Sequence, residues 1–236
     1  MRGPAVTHPG PRTSALAYWV GRCWFRLFGW DVEGDAPQVE RSVVIAAPHT
    51  TNWDLPHMLA ASFLFRFRVS WLGKHTLFRA PFGTFFRLLG GVAVDRRAPG
   101  GLVAQAAVRL AEADKLALAV PPSGTRGRSD FWKSGFYWIA HTANVPIVCG
   151  YLDYSRRRAG LGLTLTTTGD VAADMARIRD FYAGIEGKFP ALQTPIRLRD
   201  EQQSSEDADD TRPAQDESSS QVGSRQGPRQ IDGDGS

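Results

Sequence analysis

Short apolar runs alternate with helix-period segments along most of this chain, and that alternation is the strongest limit on its fold. β-like runs stand at about 42–47, 69–73, 91–95, 116–120, 145–151 and 161–168. Helical patterns fill about 53–66, 82–89, 101–114, 133–143 and 171–186. Strand alternating with helix predicts an α/β domain with a mostly parallel central sheet flanked by helices. The last run is rich in threonine and reads as an antiparallel edge strand. A chain of 236 residues is long enough for one such domain with a full core.

Outside that body the pattern changes at both ends. Residues 1–13 hold Gly3, Pro4, Pro9, Gly10 and Pro11 and read as a flexible arm. Residues 14–30 carry Leu16, Trp19, Val20, Cys23, Trp24, Leu27 and Phe28 at helical spacing, with Arg22 and Arg26 between them. This amphipathic helix has two readings: docked on the domain's own core, or lying in a membrane surface, where Trp and Arg are favoured together. Residues 31–199 form the folded body. From 200 to 236 the chain has ten acids, three arginines and almost no large apolar residue. Such a segment buries too little surface to offset its ordering entropy and is expected to be a disordered acidic tail.

The charge is split. The chain has 28 basic and 24 acidic residues. Setting the tail apart leaves residues 1–199 at about +11 and the tail at about −7. A body this basic suggests an anionic partner: phospholipid headgroups, a phosphorylated substrate, coenzyme A or nucleic acid. Cys23 and Cys149 lack a CxxC pattern and read as buried thiols of a reducing compartment. No run of 18 apolar residues marks a spanning helix, and the N-terminal segment is a poor signal peptide.

Four segments carry chemistry. The first run feeds into Pro48-His49-Thr50-Thr51-Asn52-Trp53-Asp54, a His-x-x-x-x-Asp spacing at a strand–helix junction. An imidazole there is a candidate general base, and a carboxylate at that spacing can fix its tautomer. The second is Gly90-Gly91-Val92-Ala93-Val94-Asp95-Arg96-Arg97, which places guanidinium groups at a strand's C-terminal end, where α/β sites gather. The third is Pro121-Pro122-Ser123-Gly124-Thr125-Arg126-Gly127-Arg128, a turn with hydroxyls and Arg forks suited to phosphate. The fourth is Val145-Pro146-Ile147-Val148.

Taken in order, these blocks resemble those of the glycerolipid acyltransferases that include 1-acyl-glycerol-3-phosphate acyltransferase. The resemblance spans about residues 14–190, and Trp132-Lys133-Ser134-Gly135-Phe136-Tyr137 is similar to the bacterial members. It implies that His49 is the general base on an acceptor hydroxyl and that Asp54 orients it. It implies that Arg96 binds acceptor phosphate and that Gly124, Thr125 and Arg126 bind substrate, with Pro146 structural. The family usually has Glu where this chain has Ser123, which places Ser123 in the acceptor pocket. The implied reaction moves a fatty acyl group from an acyl thioester, on coenzyme A or acyl carrier protein, to a hydroxyl of a lysophospholipid or glycerol-phosphate-like lipid. No cofactor or metal is implied. The implied setting is peripheral, on the cytoplasmic face of a membrane. Backbone N–H groups near the start of the helix after His49 are the candidate oxyanion donors.

A competing reading is a serine-dependent lipid esterase in which His49 and Asp54 activate Ser123. It lacks a Gly-x-Ser-x-Gly elbow. Nucleic acid is disfavoured, because the aromatics form an apolar stripe and do not interleave with a basic groove. His57 and His75 lack metal-ligand spacing and read as structural or surface residues.

Overall fold

The computed structural model describes residues 8–94, 101–199 and 201. Its strands are β1 (Asp31–Glu33), β2 (Arg41–Ala47), β3 (Val69–Lys74), β4 (Gly91–Val94), β5 (Leu116–Val120), β6 (Ile147–Asp153) and β7 (Arg158–Leu165). Its helices are α1 (Ala15–Phe28), α2 (Asp54–Leu64), α3 (Gly83–Leu88), α4 (Gly101–Glu112), α5 (Gly135–Ala143) and α6 (Val171–Tyr182). The strands make one sheet in the order β1-β7-β6-β2-β5-β3-β4. From β6 to β4 all neighbours are parallel. The α/β expectation therefore holds.

One detail differs. The threonine-rich strand is antiparallel to β6, as expected, but it is not an edge, because β1 pairs with its outer side. A three-residue strand such as β1 carries too little pattern to be read from sequence. Past Leu165 one of the threonines serves a helix start instead. Thr168 donates to the buried Asp174 carboxylate in the first turn of α6, through both its N–H (2.8 Å) and its hydroxyl (3.2 Å).

β2 shows why the sheet is three-layered. Its apolar run sends Val43, Ile45 and Ala47 to one face and Val44 to the other, following the two-residue period of a strand. The first face packs on Ala106 and Leu110 of α4, Phe136, Tyr137 and Ile139 of α5, and Met175 and Ile178 of α6. The second packs on Phe25 of α1 and Ala60 and Ala61 of α2. The parallel strands also bring the segments that follow β2, β5 and β6 to one edge of the sheet, the usual place for a site in such folds.

The N-terminal expectation needs qualification. Residues 8–13 are not a loose arm. Their backbone pairs with the end of α2's loop, Thr13 N–H donating to Arg66 C=O (3.0 Å) and Arg68 N–H to Pro11 C=O (2.8 Å). His8 is buried with its ring edge on Phe67. Residues 1–7 lie outside the described residues, as does the tail beyond 201.

Helix α1 begins at Ser14, whose hydroxyl accepts from Ala17 N–H, and ends at Gly29 in the left-handed region (φ 68°). It docks through Gly21 and Phe25, with Trp24 and Phe28 half-buried beside them. The continuous stripe read from the sequence is thus split. Leu16, Trp19, Val20, Cys23 and Leu27 face outward, Leu16 and Leu27 being 74% and 77% exposed. Cys23, expected to be buried, is exposed for that reason, whereas Cys149 is buried. Glycine sets the rotation: a Cβ at Gly21 would stand 2.6 Å from Ala60 C=O and 3.0 Å from Phe63 Cβ. The small residue lets α1 approach α2 closely enough to seat Phe25 in the core.

Gly21→Leu is expected to push α1 off α2, at a cost of about 2 kcal/mol. The melting temperature should fall by about 5 °C. An unchanged melting curve would show that this crossing is not close-packed.

Candidate active site

His49 stands two residues beyond β2, and Asp54 opens α2. The junction folds because Asp54 turns its carboxylate back onto the chain before it. Oδ2 accepts the Thr50 N–H (2.9 Å) and the Thr51 N–H (3.0 Å). The same oxygen lies 3.0 Å from His49 Nδ1. The short loop is thereby closed around one carboxylate oxygen. The second oxygen, Oδ1, accepts the hydroxyl of Tyr154 at 2.7 Å, from the chain just past β6.

This geometry assigns chemistry to the two imidazole nitrogens. Nδ1 faces the carboxylate, so it carries the proton, and Nε2 presents its lone pair. The His49 side chain is 20% exposed and that of Asp54 only 7%, so the base reaches solvent while its partner does not. The pair can accept a proton from a hydroxyl and hold the resulting imidazolium against a buried anion. The expected oxyanion donors need correction. The N–H groups of Thr50 and Thr51 are already held by Asp54, and the Trp53 N–H is held by the Thr51 hydroxyl (3.3 Å).

The pair lines a cavity of about 290 Å³ between α2 and the sheet. Leu55, Met58, Phe65, Trp71 and Leu72 also line it, as does Arg126. Burial of apolar surface is the main interaction such a wall offers to a ligand. No signal in the sequence announces this cavity, because each apolar residue named in its lining reads as ordinary core.

The third sequence segment follows β5 and arrives beside His49. Ser123 is buried and lines a small cleft that His49 also lines. Its hydroxyl donates to Thr125 C=O at 2.7 Å, so its proton points into its own turn. Gly124 takes a left-handed conformation (φ 65°) that favours glycine, and the Thr125 hydroxyl accepts the Gly127 N–H (3.2 Å). Gly124, Thr125 and Arg126 are exposed. Ser123 and Thr125 continue into an open groove with Lys133 and Arg199. Thus His49 shares one cavity with Asp54 and Arg126 and a second cleft with Ser123, and Ser123 in turn shares the open groove with Thr125. Arg96 lies outside the described residues. Pro146 sits before β6, where its C=O accepts the Val43 N–H (3.0 Å), a structural place.

Two further residues stand near the pair. His57, read from the sequence as structural or surface, lies in α2 one turn beyond Asp54, is buried, and stacks on Trp30 at 4.5 Å. Its Nδ1 accepts the Trp24 indole N–H (3.1 Å), which ties α1 to α2. Burial lowers its pKa below the ordinary histidine value, consistent with a neutral acceptor. Tyr154 was missed altogether. No signal near it in the sequence marks it, because only the pairing of β6 with β2 brings it to Asp54.

No curated protein sequence matches the chain. A solved structure, the 1-acyl-sn-glycerophosphate (LPA) acyltransferase PlsC from Thermotoga maritima, is similar at 18% identity over 64% of this chain and 68% of that one, with a TM-score of 0.45. The model of the family described as Acyltransferase matches residues 30–152. That segment is more than half of the chain and contains the His49–Asp54 pair, the 121–128 turn and the Val145–Val148 block, so the chain belongs to the acyltransferase family and is an enzyme of acyl transfer.

Proposed function

We propose that this protein is a peripheral membrane O-acyltransferase that moves a fatty acyl group from an acyl thioester to a hydroxyl of a lysophospholipid or glycerol-phosphate-like lipid. The observation that carries this reading is the His49 Nδ1–Asp54 pair, 3.0 Å apart, in the lining of a mostly apolar cavity. His49 Nε2 takes the acceptor's O–H proton as the oxygen attacks the thioester carbonyl. The tetrahedral intermediate collapses with cleavage of the C–S bond, and the proton passes from His49 to the leaving thiolate. The cavity is suited to the acyl chain. The exposed Arg126, with Thr125, Lys133 and Arg199 in the adjoining groove, suits the anionic parts of acceptor or donor, coenzyme A and acyl carrier protein both being phosphate-bearing carriers.

Membrane contact is supported by the outer face of α1. Leu16, Trp19, Val20 and Leu27 are exposed there beside the exposed Arg22 and Arg26, the composition of a helix lying in a headgroup layer. Among the described residues no helix is long and apolar enough to cross a membrane. The cytoplasmic leaflet, with its anionic lipids, is the surface that a body with this excess of lysine and arginine fits best. The esterase reading is weakened by the Ser123 hydroxyl, which donates to Thr125 C=O and not to His49.

His49→Ala should lower acyl transfer by at least about 10²-fold while circular dichroism stays unchanged. Thiol release from acyl-CoA in the presence of lysophosphatidate reads this directly. A folded variant with near-full activity would remove His49 as the base.

Ser123→Ala should keep acyl transfer and change only the acceptor's KM. Serine-directed phosphonate labelling of Ser123 that requires His49 would instead establish the esterase.

Leu16→Glu combined with Leu27→Glu should weaken sedimentation with anionic phosphatidylglycerol vesicles by about 10-fold or more, because two apolar side chains leave the interface. Both positions are exposed, so the melting temperature should not move. Unchanged sedimentation would show that α1 serves the core alone.

A further inference from the structure

The Asp54 carboxylate keeps its two oxygens in different company. Oδ2 gathers Thr50 N–H, Thr51 N–H and His49 within 3.0 Å, all from one short loop. Oδ1 meets the Tyr154 hydroxyl, a hundred residues away in sequence. Tyr154 is itself held in place. Its backbone N–H donates to Glu186 C=O (2.8 Å), and its ring meets the Trp30 indole edge-on at 4.9 Å. Trp30 in turn stacks on His57. The tyrosine is thus anchored from the strand edge and from the aromatic cluster beneath α1, not from the loop it serves.

We infer that Tyr154 is a positioning residue for the acyl transfer proposed above, fixing the rotation of the Asp54 carboxylate so that Oδ2 stays on His49 Nδ1. Without this donor, the carboxylate has a free oxygen and can turn about its Cβ–Cγ bond. The loop's backbone donors would then pull either oxygen, and the imidazole would lose its fixed partner. The hydroxyl is a durable donor. Burial, then its hydrogen bond to Asp54 and the carboxylate's charge, push the phenol well above its ordinary range. It stays protonated wherever the enzyme works. A hydrogen bond to a charged group in such a site is among the stronger ones, which gives the contact weight enough to matter for alignment. Tyr154 lies just past the segment matched by the family model, which ends at residue 152.

The inference rests on His49 as base, so the test pairs the variants. Tyr154→Phe keeps the ring against Trp30 and removes the hydroxyl alone. With the purified full chain, acyl-CoA and lysophosphatidate, it should lower kcat about 10-fold and leave both KM values within about twofold. Tyr137→Phe is the control for stability. It removes the same kind of bond, Tyr137 hydroxyl to buried Asp174 at 2.9 Å, on the other face of the sheet. It should lower the melting temperature without lowering kcat. Combining Tyr154→Phe with Asp54→Asn should cost little beyond Asp54→Asn alone, because the phenol acts through that carboxylate.

Three results would overturn the inference: a Tyr154→Phe enzyme with kcat within twofold of the parent, an effect confined to KM, or an equal kcat loss in Tyr137→Phe. If His49→Ala is inactive while Tyr154→Phe is fully active, only the role of Tyr154 fails. If His49→Ala is active, the proposed function fails first.

Discussion

The site depends on a single buried carboxylate. Asp54 is held by donors from two parts of the chain: the loop after β2, through two backbone N–H groups and the imidazole of His49, and the phenol after β6. An ion this far from water is tolerated only when its lone pairs are met, and here both oxygens are. The two N–H donors shape the loop that carries the histidine. The same charge that folds the junction therefore orients the base, so structure and chemistry cannot be varied independently at this position.

The sheet makes that convergence possible. Parallel pairing puts the ends of β2, β5 and β6 side by side, so segments 30 to 100 residues apart arrive at one edge. β2 divides the interior: one face is filled by α4, α5 and α6, while the face toward α2 leaves a cavity. α1 closes this second layer. Its inner face completes the core through Phe25, and its outer face stays apolar and exposed. Gly21 sets which residues fall on each face, because only a residue without Cβ allows so close an approach to Ala60.

What could be read from the sequence was local or strongly periodic. The buried strands announced themselves as apolar runs, and the His49–Asp54 spacing placed a carboxylate at the start of a helix. The misses are nonlocal. β1 is three residues long and gains its strand character only from its partner β7. Which part of α1 docks was left open, because the apolar stripe runs on to Phe25 and periodicity alone did not choose between core and membrane. Cys23, expected to be buried, lies on the outward part. The packing of His8 on Phe67 joins residues 59 apart and has no local signature. Ser123 looked like an available hydroxyl, yet its bond to Thr125 C=O is a turn geometry that residue type does not specify. Tyr154 is the clearest case. Nothing near it in sequence marks it, and only the adjacency of β6 and β2 brings it to Asp54.

The placement of His49 has a further consequence for the proposed chemistry. On one side stand Leu55, Met58, Phe65 and Trp71, a wall that offers no hydrogen bonds beyond its rim. On the other stand Ser123 and the polar groove with Thr125, Lys133 and Arg199. An acyl thioester is itself divided at its carbonyl: an apolar chain on one side, a polar anionic carrier on the other. A protein that binds each half by its own physical principle, burial for the chain and charge for the carrier, fixes the position of the carbonyl between them. The reacting atom is then located by the boundary between two surfaces, and the base needs to stand only at that boundary. Orientation of the substrate falls to the walls, and the loop has to hold only one imidazole and its carboxylate.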